Sequence, residues 1–112
     1  MEGLVAGAVV VVDYPYTDLS TTKRRPALIV AILPGTSNAV FCQITSQFTY
    51  DTFAVTLTEE DFALGGLTQP ISNIRPNYLH TLDINLAIRQ AGQLKQERLD
   101  VVLEAIRAFF TS

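Results

Sequence analysis

Three cations in a row, Lys23-Arg24-Arg25, stand directly before Pro26 and account for three of the eight Lys and Arg residues of this 112-residue chain. An arginine can fork two hydrogen bonds onto phosphate oxygens, so the cluster suits a phosphate clamp. The residue before a proline is held toward extended backbone, which predicts Arg25 at the mouth of a strand. Taken alone, the cluster reads better as solvated loop charge that blunts a strand edge. A second arginine, Arg75, lies in Ser72-Asn73-Ile74-Arg75-Pro76-Asn77. In an extended strand Arg75 and Asn77 share a face, although Pro76 can distort the alternation. Thr45-Ser46 offers hydroxyls for phosphate contact or for ordinary strand-end hydrogen bonding. His80 is the single histidine. Alternation gives it the parity of Leu82 and takes it off the face of Arg75 and Asn77, unless a bulge at Pro76 reverses the count. Tyr14, Tyr16, Phe48, Tyr50 and Tyr78 fall in or near expected loops, some of them core residues and a few suited to stacking on unpaired bases.

Other chemistries have little to work with. The sequence carries no Gly-rich phosphate loop, no Cys-x-x-Cys, no His-x-x-x-His and no nucleophile elbow. One histidine cannot build a His-rich metal site, and the carboxylates Glu59-Glu60-Asp61 are explained by a helix N-terminus, so no metal and no cofactor is expected. Cys42 is the only cysteine, which excludes an internal disulfide and suits a reducing cytoplasm. It sits in an apolar run and is expected to be buried and inert. A formal net charge of −3 argues against a protein that coats duplex DNA, but leaves room for a local basic pocket.

These residues need a scaffold, and the hydrophobic pattern predicts a β-rich one in a single domain spanning residues 1–112. Ala8–Val12 is a short β-branched run, as in a strand buried on both faces. The preceding residues lack a basic segment, no small-residue cleavage site follows, and Leu4–Val12 is too short to cross a bilayer, so no signal peptide or membrane span is expected. Tyr14–Arg25 reads as a long exposed loop, Pro26–Leu33 and Ala39–Ile44 as buried strands joined through Pro34-Gly35, and Thr52–Leu57 as a half-exposed strand. Thr58 through Asp61 resembles a helix start with a capping box, ended by Gly65-Gly66. Ile71–Leu82 reads as a strand with an edge position or a bulge at Pro76. Gln93–Phe110 is the best helix, with Leu99, Val102, Leu103, Ile106 and Phe110 on one stripe. Five or so strands followed by a helix predict a strongly bent sheet or partly open barrel closed by that helix.

Together these stretches resemble the MazF/PemK/Kid toxins. Gly7 through Asp13 is similar to that family's opening strand, with Ala8 where an acidic residue is common. Tyr14 through Ser20, followed by Lys23-Arg24-Arg25-Pro26-Ala27-Leu28-Ile29-Val30, is similar to one branch of the family. Ile44-Thr45-Ser46, Thr58 through Phe62, Gly65-Gly66-Leu67, Ile74-Arg75-Pro76 and His80-Thr81-Leu82-Asp83 extend the resemblance over essentially the whole chain.

The resemblance implies an SH3-like barrel with a terminal helix, a homodimer, and a growth-inhibiting toxin that cuts single-stranded RNA at short sequences. It implies a cognate antitoxin that lays an extended segment over the RNA site. The Arg before the Pro and the Thr of the third strand are the family's central catalytic residues, which places those roles on Arg25 and Thr45. A further Arg and an acid two positions on fall on Arg75 and Asn77, and here the acid is absent. Lys23, Arg24, Tyr16, Ser46, Gln47 and His80 fall around them as substrate contacts. The implied reaction uses no metal: the ribose 2′-hydroxyl attacks its own phosphate, leaving a 2′,3′-cyclic phosphate and a 5′-hydroxyl. Two other classes stay open on the same barrel, a CcdB-like gyrase poison and a binding module that has lost its chemistry.

Overall fold

The computed structural model describes residues 3–15, 22–47 and 52–112. Seven strands form one antiparallel sheet: β1 (Ala8–Pro15), β2 (Thr22–Ile32), β3 (Asn38–Thr45), β4 (Val55–Thr58), β5 (Phe62–Gly65), β6 (Ile71–Asp83) and β7 (Ala87–Leu94). Their order across the sheet is β4-β6-β3-β2-β1-β7-β5, and the sheet curls into a half-barrel followed by helix α1 (Gln96–Thr111).

The Val run of β1 is buried on both faces, as its composition predicts: Ala8, Val9, Val10 and Val12 are inaccessible to solvent. Val9 and Leu28 point to one core, shared with Cys42, Ile44, Leu57, Phe62, Ile74 and, from the helix, Leu99 and Val102. Val10 and Val12 point the other way, to Ala27, Ile29, Ala39 and Phe41. The period of two in strands assigns neighbouring residues to opposite cores, so Val9 on one side and Ala8, Val10 and Val12 on the other all meet an apolar environment.

Several expected boundaries move. β1 and β2 continue through Tyr14↔Lys23 and Pro15↔Thr22, so the connection between them is much shorter than Tyr14–Arg25. Arg25 lies inside β2, opposite Val12, rather than at its mouth. The β4 strand starts only at Val55, and Thr58–Asp61 forms a short 3-10 turn whose Asp61 carboxylate accepts the Thr58 N–H at 2.8 Å. Phe62–Gly65 is a strand, not the tail of a helix. It pairs with β7 at Gly65↔Gly92, where the chains approach so closely that a Cβ on Gly92 would stand 2.6 Å from Leu64 O. Residues 87–94, of which Gln93 and Leu94 carry the helical pattern in sequence, form the seventh strand because β1 and β5 both pair with them.

The helix starts three residues later than the pattern predicts, at Gln96. It packs Leu99 and Val102 into the first core, with Leu103 and Ile106 partly buried against it. Phe110 is not on the packed stripe, being 70 % exposed, whereas Phe109 meets Phe53 edge-on with ring centroids 5.4 Å apart. Asp61 anchors the helix start: its carbonyl accepts the Lys95 N–H at 2.9 Å, and its carboxylate lies 3.5 Å from the Arg98 guanidinium.

The largest irregularity is in β6. Cys42 pairs with Leu79 while the next residue, Gln43, pairs with Arg75, so Pro76, Asn77 and Tyr78 loop out of the ladder. This is the bulge expected at Pro76, and it explains how a proline sits in a strand that has β3 on one side and β4 on the other. Pro76 is fully buried, and a residue without an N–H loses nothing there. The Arg75 carbonyl next to the break accepts the Cys42 thiol at 3.0 Å.

Candidate functional site

β3 ends at Thr45, and its last residues organise one face of the sheet. Phe41, Gln43 and Thr45 alternate onto that face. Across the ladder stand His80 opposite Phe41, Arg75 opposite Gln43 and Asn73 opposite Thr45. Directly opposed residues in an antiparallel pair share a face. On the other side Ala27 faces Gln43, and Arg25, two residues before Ala27, has the same parity. The arrangement therefore assembles Arg25, Thr45, Arg75 and His80 from three adjacent strands.

The position of His80 corrects the alternation argument made from sequence. Arg75 and His80 are five residues apart, which in a regular strand sets them on opposite faces. The bulge removes three residues from the ladder, an odd number, and reverses the parity. His80 and Arg75 stand opposite residues two apart on β3, about 7 Å along the strand. The same bulge undoes the expectation for Asn77. It lies within the looped-out segment, so the face it takes is not set by alternation with Arg75, and its Oδ1 is buried without a hydrogen-bond partner among the described residues.

Local contacts orient the polar groups. Thr45 Oγ1 accepts the Gln47 N–H at 3.2 Å, and Asn73 Nδ2 donates to Gln47 O at 3.2 Å, which joins the ends of β3 and β6. A hydroxyl that accepts this bond keeps its own proton to donate to an anion. The Arg75 guanidinium lies over the Tyr78 ring, 3.6 Å from its centroid. Such a cation–π contact holds the cation in place without neutralising it. Tyr78 thus acts first on Arg75. Arg24 pairs with the Asp13 carboxylate at 3.6 Å, both side chains well exposed, so this contact adds little to stability. Cys42 is no nucleophile: burial pushes its thiol up from 9.0 to about 12.

The opposite face carries a cavity of about 380 Å³ at the same end of the sheet. Val11, Pro26, Ile44 and Leu67 form its apolar walls, Ser46, Thr68, Gln69 and Ser72 its polar ones, and Arg25 and Arg89 its charge. Among the described residues no carboxylate lines it. Arg25 thus serves both faces, and Ser46 lies one residue beyond Thr45. Among the described residues no three of His, Cys, Asp and Glu gather closely enough to hold a metal ion.

The model of the PemK-like, MazF-like toxins of type II toxin–antitoxin systems matches residues 6–110. The chain belongs to this family. Among solved structures it is similar to the Mycobacterium tuberculosis toxin MazF-mt6, at 24 % identity and a TM-score of 0.71, covering 93 % of this chain and 96 % of that one. It is also similar to a MazE–MazF structure from Deinococcus radiodurans, at 20 % identity and a TM-score of 0.76, with 96 % of each chain covered. An endoribonuclease in complex with its cognate antitoxin from a mycobacterial species superposes with a TM-score of 0.72 at 16 % identity, covering 97 % and 96 %. At these identities the structures establish the MazF-like fold. No sequence among curated proteins matches the chain.

Of the residues that the MazF/PemK resemblance singles out, Arg25, Thr45, Arg75 and His80 come together on one face. Ser46 turns to the cavity, Gln47 and Asn77 contribute at the margins, and Tyr16, Phe48 and Tyr50 lie outside the described residues. Lys23 pairs with Tyr14 across β1 and β2, and its side chain lies outside what the structure describes. Sequence reasoning missed Arg89, Gln69 and Ser72. Arg89 sits in Ala87-Ile88-Arg89-Gln90, which carries no motif, and reaches the cavity only because β7 pairs Arg89 with Val11. Ser72 is 3 % exposed, and a polar residue so enclosed is informative only once the fold is known. No helix among the described residues is long and apolar enough to cross a membrane.

Proposed function

We propose that this protein is a toxin that acts as a metal-independent endoribonuclease on single-stranded RNA, with Arg25, Thr45, Arg75 and His80 as its working groups. The observation that carries the reading is their convergence on one face from β2, β3 and β6. Two guanidiniums there suit the negative charge that builds on the phosphoryl oxygens in the transition state, and such preorganised charge is often the largest catalytic effect. Thr45 positions the phosphate through its free proton. In the reaction the 2′-oxygen bonds to phosphorus as the bond to the 5′-oxygen breaks. One proton leaves the 2′-hydroxyl and one arrives on the leaving oxygen. His80 is the imidazole on this face, a side chain of the type that serves as general acid or base. Asn77 cannot do so, and its buried Oδ1 gives it a structural place. The dependence on a 2′-hydroxyl makes DNA inert.

We further propose restraint by a cognate antitoxin and assembly as a homodimer in the cytoplasm. The antitoxin reading is supported by the similar structures solved as toxin–antitoxin complexes, and the dimer by large apolar side chains left in water, Leu64 and Phe110 each 70 % exposed.

The deciding experiment incubates the purified protein with a long single-stranded RNA and with DNA of the same sequence, with and without EDTA. Discrete RNA fragments with 2′,3′-cyclic phosphate and 5′-hydroxyl ends are expected, unaffected by EDTA, with DNA intact. Intact RNA, or cutting that EDTA abolishes, overturns the reading. Inhibition of gyrase with intact RNA assigns the protein to the CcdB-like class instead.

A further inference from the structure

The cavity on the opposite face shares Arg25 with the reaction just described, and the rest of its lining has the composition of a binding site. Among the described residues it carries two guanidiniums and no carboxylate, although the chain as a whole has a net charge of −3. A concave site of one sign focuses potential and selects an anionic ligand. Its volume, about 380 Å³, lies near the lower end of the roughly 300–1,000 Å³ typical of small-ligand pockets, which suits one nucleotide rather than a length of peptide. Its apolar walls, Val11, Pro26, Ile44 and Leu67, offer flat contact to a base, and Thr68, Gln69 and Ser72 offer both donors and acceptors for the edge of that base.

The two faces meet at the sheet end. Arg25 has the parity of the Thr45 face and lines the cavity, and Ser46 in the cavity directly follows Thr45. Arg89 stands across β1 from Pro26, since Val11 pairs with both, so its side chain rises on the cavity face. A strand of RNA with its scissile phosphate at Thr45 and Arg25 has only to turn around this end for the neighbouring nucleotide to enter. The cavity's outer rim is the segment from Gly66 to Gln69, held by the close β5–β7 approach and by the Gly66 N–H bonded to Ala91 O at 3.1 Å.

We propose that this cavity is a specificity site that takes one nucleotide beside the cut, with the base against Thr68, Gln69 and Ser72 and its phosphate on Arg89. The inference rests on the RNA-cutting reading and adds the residues that choose the sequence. Two measurements test it. In the first, cut positions on a long RNA are mapped for wild type, Arg89→Ala, Gln69→Ala and, as a control for lost charge, Arg107→Ala on the exposed side of α1. Arg89→Ala is expected to raise KM about tenfold with a smaller change in kcat, the size of one lost charge-assisted hydrogen bond. Gln69→Ala is expected to relax the base preference at one position beside the cut, and Arg107→Ala to change neither. KM and cut pattern unchanged in both cavity variants overturn the proposal.

In the second, AMP, CMP, GMP and UMP are titrated separately into the wild-type protein and followed by amide chemical shifts. One nucleotide is expected to move Leu67, Thr68 and Gln69 more than the others do, and Arg89→Ala to remove the response. Shifts confined to Thr45 and Asn73, or a cavity filled only by an acidic peptide, overturn it. If wild type cuts no RNA, the RNA-cutting reading fails, while the titration still judges the cavity on its own.

Discussion

The two faces at the end of β2 and β3 are built from the same strands and do different work. One is a shallow row of reactive side chains: Thr45 and Arg75 half-buried, His80 in water. The other is concave, with apolar walls and its charge at Arg25 and Arg89. A row open to solvent suits a phosphodiester that must enter and leave, whereas a walled cavity suits discrimination between bases. Strand alternation produces the pair at no cost in chain length, because Thr45 and Ser46 are neighbours in sequence that face different ways. On the proposed reading, catalysis and selection are separated by one residue of backbone.

Arg25 belongs to both faces, so its loss should do the most damage. Arg25→Ala is expected to lower single-turnover cleavage about 10²–10³-fold, the range for removal of one transition-state donor. A folded Arg25→Ala protein that cuts at the wild-type rate removes Arg25 from the site.

Next comes the row alone. His80→Gln is expected to lower kcat about a hundredfold and flatten its pH profile, while the cut-site pattern stays as in wild type. An unchanged pH profile shows that the protons move elsewhere, and a changed cut pattern shows that the two faces are not separate.

Asn77 sharpens the distinction between the row and the bulge beside it. Asn77→Asp places a carboxylate where Oδ1 has no partner, so the thermal midpoint is expected to fall by about 5 °C with no gain in rate. A faster enzyme shows instead that an acid at this position reaches the RNA.

The smallest effect lies under the bulge, at Cys42. Its thiol is held up at about 12 against an ordinary 9.0, so it stays protonated in the folded state while the unfolded chain ionises above pH 9. The stability this contributes is therefore complete below pH 9 and lost as pH rises from 9 to 12. The stability difference between wild type and Cys42→Ala should shrink across that window in denaturant titrations. In the native protein at pH 8 the thiol should resist Ellman's reagent until the chain unfolds, and prompt labelling shows an open site.

Sequence alone was enough for whatever depends on local pattern. The valine run of β1, the Pro34-Gly35 hairpin, the apolar stripe of α1 and the bulge at Pro76 were all legible, because each is a property of a few consecutive residues. Arg25, Thr45 and Arg75 were singled out by short motifs that resemble the family's, and their place in the reaction is a proposal. What the tertiary structure decided is everything that requires two distant strands to meet. β7 is a strand because β1 and β5 flank it, although its own residues, Ala87-Ile88-Arg89-Gln90-Ala91-Gly92-Gln93-Leu94, include little that favours one. Arg89 becomes a cavity residue through the same pairing. His80 joins the row only because the bulge takes up three residues, and that number is set by which residue of β3 each half of β6 opposes. Alternation can be read from a sequence, but register is a relation between segments, and one odd slip carries every later side chain to the other face.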